Sequence, residues 1–145
     1  MSPRKISGCR PRAVRVLVVE DERAQLEYLA SELERAGFVV MEAANGDEGL
    51  EKVRSFEPDV VVLDLMLPEI SGFVLARAVR SFERTRDIGI VAVSALASEA
   101  LRMEALAAGC DAFLTKPVRA ALVAEQVRLV LTRRDSPARG RLREE

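Results

Sequence analysis

Apolar positions along this chain fall into two rhythms that take turns. Val16-Leu17-Val18-Val19 is an unbroken apolar run that stops abruptly at Glu20-Asp21-Glu22. A run without alternation fits a strand covered on both faces, as in a parallel sheet. From Glu22 the period changes, and Leu26, Leu29, Ala30 and Leu33 recur at helical spacing, with Gly37 placed to close the helix. Phe38–Ala43 reads as a second strand. Asn45 followed by Glu48 has capping-box spacing and opens a helix through Leu50 and Val53. Pro58 then precedes Val60-Val61-Val62-Leu63-Asp64, the most clearly buried strand of the chain.

The alternation continues to the end. A loop from Pro68 to Gly72 leads into a helix bearing Phe73, Leu75, Ala76 and Val79. A strand at Ile88–Val93 and a helix from about Ser98 to Ala108, closed by Gly109, come next. A short strand, Ala112–Thr115, and a last helix, about Arg119–Thr132, complete five β-then-α units. Such a succession predicts an α/β fold: a doubly wound, five-stranded parallel sheet with five helices on both faces. In sheets of this kind ligands bind outside the carboxyl ends of the strands, where the strand order reverses.

Composition narrows the picture. The 145 residues are 49% hydrophobic and 31% charged, a globular balance sufficient for one domain with its own core. The net charge of −1 conceals an uneven layout. Residues 1–15 carry +5 and residues 133–145 carry +2, so the intervening body holds −8. Residues 1–14 are read as a flexible basic N-terminal extension, 15–132 as the domain, and 133–145 as a flexible Arg-rich C-terminal tail. An acidic body is not the footprint of a nucleic-acid-binding face, so no direct DNA binding is expected.

Cys9 and Cys110 form neither a metal-ligand spacing nor a disulfide framework. With no histidine in the chain, an all-protein zinc site of the usual kind, a His-based triad and a phosphohistidine carrier are excluded. No apolar run approaches the ~20 residues of a membrane span, and no signal-peptide pattern precedes the first strand. The expectation is a cytoplasmic protein without a membrane association.

The predicted strand ends gather the candidate chemistry. The first ends in Glu20-Asp21, the third in Asp64, the fourth in Ser94-Ala95 and the fifth in Thr115-Lys116-Pro117. If the first and third strands are neighbours, three carboxylates converge, and charges held that close need a compensating cation. Hard oxygen ligands favour Mg2+ or a similar divalent ion such as Mn2+. Carboxylates, a divalent cation, a hydroxyl and a lysine together suit phosphoryl transfer to or from a carboxylate, with Asp64 as nucleophile. Each residue alone has an ordinary explanation: a strand-end Asp as cap or turn former, Lys116 as a surface lysine. Their conjunction on successive strand ends favours the functional reading.

These residues resemble the receiver domain of two-component response regulators over nearly all of 15–132. Val16-Leu17-Val18-Val19-Glu20-Asp21-Glu22 is similar to that family's first strand with its acidic pair. Asp64-Leu65-Met66-Leu67-Pro68-Glu69-Ile70-Ser71-Gly72 resembles its phosphoacceptor loop, and Val93-Ser94-Ala95 its switch hydroxyl. Ala108-Gly109-Cys110-Asp111-Ala112-Phe113-Leu114-Thr115-Lys116-Pro117 resembles its fifth-strand region. The resemblance implies a flavodoxin-like strand order 2-1-3-4-5 and an aspartyl phosphate on Asp64. It implies Mg2+ held by Glu20, Asp21, Asp64 and the backbone carbonyl of Met66. Ser94 and Lys116 would bind the phosphoryl oxygens, Ser94 and Phe113 would switch, and the Lys116–Pro117 peptide is a candidate cis bond.

Phosphorylation would then reshape the face made by the fourth helix, fifth strand and fifth helix for a partner. The implied partners are a histidine kinase or phosphotransfer protein and a downstream protein target. With only 13 residues after Thr132, a stand-alone receiver is expected. A phosphorelay intermediate, a phosphorylation-independent interaction module and a phosphorylation-dependent homodimer stay open. A small phosphatase would need a second carboxylate two residues past Asp64, where Met66 stands.

Overall fold

A computed structural model describes residues 12–134 of the chain. The order of elements is β1 (Arg15–Val19), α1 (Arg23–Arg35), β2 (Val39–Ala43), α2 (Gly46–Phe56) and β3 (Val60–Asp64). There follow α3 (Gly72–Ser81), β4 (Gly89–Ser94), α4 (Glu99–Ala107), β5 (Ala112–Thr115) and α5 (Ala120–Arg134). The five strands are all parallel in the order β2-β1-β3-β4-β5, as the resemblance implied.

The unbroken apolar runs are explained by two cores, one on each face of the sheet. Leu17, Val19, Val61, Leu63, Ile90 and Ala92 point to the layer filled by Val53, Phe56, Leu75, Ala76, Val79 and Ala105 of α2, α3 and α4. The alternate positions Val16, Val18, Val60, Val62, Val91 and Val93 meet Leu26, Leu29, Leu33, Val123, Val127 and Val130 of α1 and α5. Every residue of β3 and β4 is buried, so neither face could have been polar.

Local chemistry sets the ends of the helices. Gly37, at φ +105°, supplies the left-handed residue that ends α1. Asn45 caps α2 by accepting the Glu48 N–H at 2.8 Å. Glu48 returns to the N–H of Ala44 at 2.9 Å, one residue before the cap, a displaced form of the expected box. Ser71 and Ser98 cap α3 and α4 by accepting the N–H three residues on. The predicted boundaries differ by one or two residues, chiefly at strand starts and in α5, which continues past Thr132 to Arg134.

Two buried carboxylates staple the amino-terminal ends of the strands. Asp111 accepts from Arg80 at 2.9 Å and from the Ile90 N–H at 2.8 Å. Arg80 also donates to the carbonyls of Gly109, Arg86 and Ile88, tying the end of α3 to the α4–β5 turn. Asp59 accepts the Arg15 N–H at 2.8 Å and pairs with Arg12 at 3.1 Å. The Arg15 guanidinium donates to the Phe56 carbonyl and lies over the Phe56 ring. Arg12 and Val14, assigned to the N-terminal extension from sequence, are thus held by the domain: Val14 packs on the α1/α5 core and its carbonyl receives the Val39 N–H. Residues 1–11 of that extension and 135–145 of the C-terminal tail lie outside the described residues. No helix among the described residues is long and apolar enough to cross a membrane.

Candidate functional site

The order β2-β1-β3 reverses direction at β1 and β3, and the candidate residues stand at the carboxyl ends of these two strands and of β4 and β5. Buried strands terminate there because the next residues are charged or turn-forming, and those residues remain pinned at the sheet rim. Glu20 follows β1 directly, and its N–H donates to the Ala43 carbonyl at 3.0 Å. Asp64 is the last residue of β3, in register with Val93 of β4, and Ser94 is in register with Thr115 of β5. The Lys116 N–H donates to the Ser94 carbonyl at 2.8 Å, locking the lysine beside β4. The peptide from Lys116 to Pro117 is cis.

Lys116 bridges two carboxylates. Its Nζ lies 2.8 Å from Glu20 Oε1 and 3.1 Å from Asp64 Oδ2. Carboxylate oxygens of Glu20, Asp21 and Asp64 lie within 4.8 Å of one another. Glu20 and Asp64 are buried, whereas Asp21 faces solvent. The remaining carboxylate oxygens take backbone donors: Glu20 Oε2 accepts from the Glu22 N–H at 3.0 Å, and Asp64 Oδ1 from the Met66 N–H at 2.9 Å. The hydroxyl of Ser94, wholly inaccessible to solvent, accepts the Leu96 N–H at 3.1 Å.

The electrostatics follow from this arrangement. Burial pushes the Glu20 carboxyl above its ordinary range, and repulsion from Asp64 adds to the effect. The Lys116 ammonium and the Glu22 N–H counter it without cancelling it. For Lys116, burial disfavours the charged form, but hydrogen bonds and charge from Glu20 and Asp64 prevail and hold its pKa above 10.5. The lysine is therefore a fixed cation at neutral pH. Cys110 lies outside the site: it is buried beneath the α4–β5 turn, and burial pushes its thiol up to about 12.

Of the residues singled out from sequence, Glu20, Asp21, Asp64 and Lys116 come together, Ser94 is tied to them through the Lys116 backbone, and Phe113 lies earlier on β5, opposite Ala92. Phe113 is half-buried against the α2–α4 core. Sequence reasoning missed the backbone N–H groups of Met66 and Leu96, each donating to the side chain two residues earlier. An Asp or Ser closing a strand ahead of a loop is the signature of an Asx or ST turn, and that signal was available. It also missed the close approach of Gly72, where an added Cβ would meet the Asp64 carbonyl oxygen at 2.5 Å and Leu65 Cα at 2.6 Å.

Comparison with known proteins agrees with this geometry. Residues 16–128 match the model of the response regulator receiver domain. The DNA-binding dual master transcriptional regulator RpaA of Synechocystis is 34% identical over 121 residues, 83% of this chain and 50% of that protein. The polar-differentiation response regulator DivK of Brucella anthropi is 29% identical over 103 residues, 71% of this chain and 84% of that protein. The chain spans about half the length of the curated transcriptional regulators it matches. Among solved structures, a CheY-like receiver domain protein from Methanospirillum hungatei superposes with a TM-score of 0.79 at 27% identity, covering 86% of this chain and 98% of that one. The chemotaxis protein CheY4 of Vibrio cholerae gives 0.78 at 27% identity, covering 82% and 99%. The chain therefore belongs to the response regulator receiver domain family of two-component signalling, whose general function is phosphorylation-activated switching.

Proposed function

We propose that Asp64 is the phosphoacceptor of this receiver, and that a histidine kinase or phosphotransfer protein supplies the phosphoryl group. The observation that carries this reading is the bridging of Glu20 and Asp64 by one lysine beside a third carboxylate. Three acids around a single ammonium leave the crevice short of positive charge, and the donors are all hard oxygens. That set fits Mg2+, or Mn2+, held by Glu20, Asp21, Asp64 and the Met66 carbonyl. When bound, the ion neutralises charge on the transferring group.

The chain's own groups do the rest. One carboxylate oxygen of Asp64 attacks phosphorus while the bond from phosphorus to the donor's nitrogen or oxygen breaks, and the leaving group keeps the electron pair. The Met66 N–H, bonded to Asp64 Oδ1, fixes the carboxylate plane. Lys116 is near enough to exchange a carboxylate oxygen for a phosphoryl oxygen. Ser94 gives up its bond to the Leu96 N–H and turns toward the new anion, which adds roughly −1.5 to −2 charge. Phe113, already against the core, moves inward as Ser94 leaves, and the α4-β5-α5 face changes shape for a downstream protein.

Full occupancy of the acidic, hydroxyl and lysine positions argues against a module that works without phosphorylation. Asp64→Asn keeps the shape of the site and removes the nucleophile. The variant should take no label from acetyl phosphate and Mg2+ under conditions where the native chain gains one phosphoryl group by intact-mass analysis. Equal labelling of the variant would overturn the assignment.

A further inference from the structure

We propose that Tyr28 is a positioning residue for the phosphoryl-transfer site: its hydroxyl, carried on α1, caps the start of α5 and so holds the loop that presents Lys116. This rests on the function proposed above for Asp64 and Lys116. The helices α2, α3 and α4 are each capped by their own Asn45, Ser71 or Ser98. Among the described residues, helices α1 and α5 have no such cap of their own, and α5 alone receives one from another helix. The residue before α5 is Arg119, whose carbonyl receives the N–H groups of Leu122 and Val123, as a cap residue's should. A guanidinium has only donors and cannot accept a helix N–H. The first four N–H groups of a helix have no partner within it. One of them, on Ala120, donates instead to the Tyr28 hydroxyl at 3.2 Å, across 92 positions of sequence.

The two ends of this bond belong to the segments that build the site. Helix α1 begins directly after Glu20, Asp21 and Glu22, and Ala120 lies four residues past Lys116. The Lys116–Glu20 ion pair joins those same segments at 2.8 Å, so the site contact and the Tyr28 cap form a double tie across one seam. The loop between Lys116 and Ala120 is too short to absorb a shift of the helix start without moving the lysine. Tyr28 is 47% exposed and belongs to neither core cluster, and its hydroxyl bond to Ala120 is its specific tie to α5.

Tyr28→Phe removes the acceptor and keeps the ring. In the full chain, amide exchange at Ala120 should quicken about fivefold, the worth of a typical cap. The initial rate of Asp64 labelling by acetyl phosphate at saturating Mg2+ should fall roughly threefold, at a temperature where both proteins are fully folded. Arg119→Ser installs an ordinary cap next to Ala120. Its hydroxyl would accept the Leu122 N–H, three residues on as for Ser71 and Ser98. Alone the variant should therefore label at the native rate, and in combination with Y28F it should restore labelling while Ala120 itself still exchanges quickly. Faster exchange with an unchanged labelling rate would reduce Tyr28 to a structural role and overturn the proposal. So would an unchanged exchange rate, or a double variant that fails to regain labelling. A native chain that takes no label at all would instead refute the function assigned to Asp64, and the proposal would fall with it.

Discussion

Replacing Gly72 by alanine would press a methyl group into the backbone of the phosphoacceptor itself. Gly72 begins α3, and its N–H donates to the Leu65 carbonyl at 3.1 Å, folding the β3–α3 loop back onto the end of β3. An added Cβ would stand 2.5 Å from the Asp64 carbonyl oxygen and 2.6 Å from Leu65 Cα, where ordinary contact begins at 3.4 Å. Roughly 1 Å must be found between backbones, because no flexible side chain lies there to yield. Overpacking of this kind costs about 1–3 kcal/mol, and the rigid neighbours place it at the upper end. Restricting the unfolded chain returns about 0.4–1 kcal/mol, leaving a net loss of about 2 kcal/mol. With a urea slope near 1.5 kcal/mol per molar, the midpoint followed by circular dichroism should drop by about 1.3 M. A displacement near 1 Å at the nucleophile can cost about 100-fold in rate, so labelling by acetyl phosphate should fall by one to two orders of magnitude. Gly37→Ala is the control. Its positive φ imposes strain, but nothing lies within 4 Å of the new methyl and it sits at the opposite end of the sheet. It should lose about 1 kcal/mol and label normally. A Gly72→Ala protein with native midpoint and native labelling would refute the steric argument, and a lowered midpoint with native labelling would refute its link to Asp64.

Lys116→Gln removes the ammonium shared by Glu20 and Asp64 and should destabilise the protein by about 2–3 kcal/mol in EDTA, below the full cost of breaking a buried pair because Glu20 can take up a proton. Added Mg2+ should narrow that gap, and calorimetry showing the same gap with and without the ion would contradict the charge-deficit argument. The raised pKa of Lys116 means its contribution is complete below pH 10.5 and disappears as pH climbs through the higher folded-state value. A native-minus-variant difference that stays constant well above that point would contradict the ion pairing. Arg80→Met takes the cation from Asp111 and four hydrogen bonds from the α3 and α4–β5 turns. It should cost about 3–5 kcal/mol in urea unfolding, and a loss under 1 kcal/mol would show that the staple is dispensable.

Sequence gave direct access to whatever depends on neighbours in the chain. The runs at Val16–Val19 and Val60–Leu63 announced strands buried on both faces because a two-sided core leaves no polar register. The spacing of Leu26, Leu29, Ala30 and Leu33 marked the buried side of α1, and all four are buried. Asn45 with Glu48 fixed the start of α2. The site was legible for the same reason: charged residues that end apolar runs must project at one rim of a parallel sheet. What escaped was long-range. The partnership of Arg80 with Asp111 spans 31 positions and that of Arg15 with Asp59 spans 44. Tyr28 looks like an ordinary surface residue of α1 until its hydroxyl is found at the head of α5. Gly72 resembled any turn glycine until the packing of its α-carbon on Asp64 was visible. None of these signals resides in a local pattern, because each is created by the fold.

The lysine at the centre of the site also ties competence to the order in which the chain is made. Its partners precede it by 96 and 52 residues, and it follows β5, the last strand of the sheet. A nascent chain emerges from its N-terminus and exposes all three carboxylates once residue 64 is out. The ammonium that holds two of them arrives 52 residues later. Until β5 adds to β4, Glu20 and Asp64 lack the ammonium that bridges them and repel each other. Closing so long a loop is among the slower steps of folding. Completion of the fold and assembly of the reactive centre are consequently one event, and a half-made receiver cannot carry a complete site.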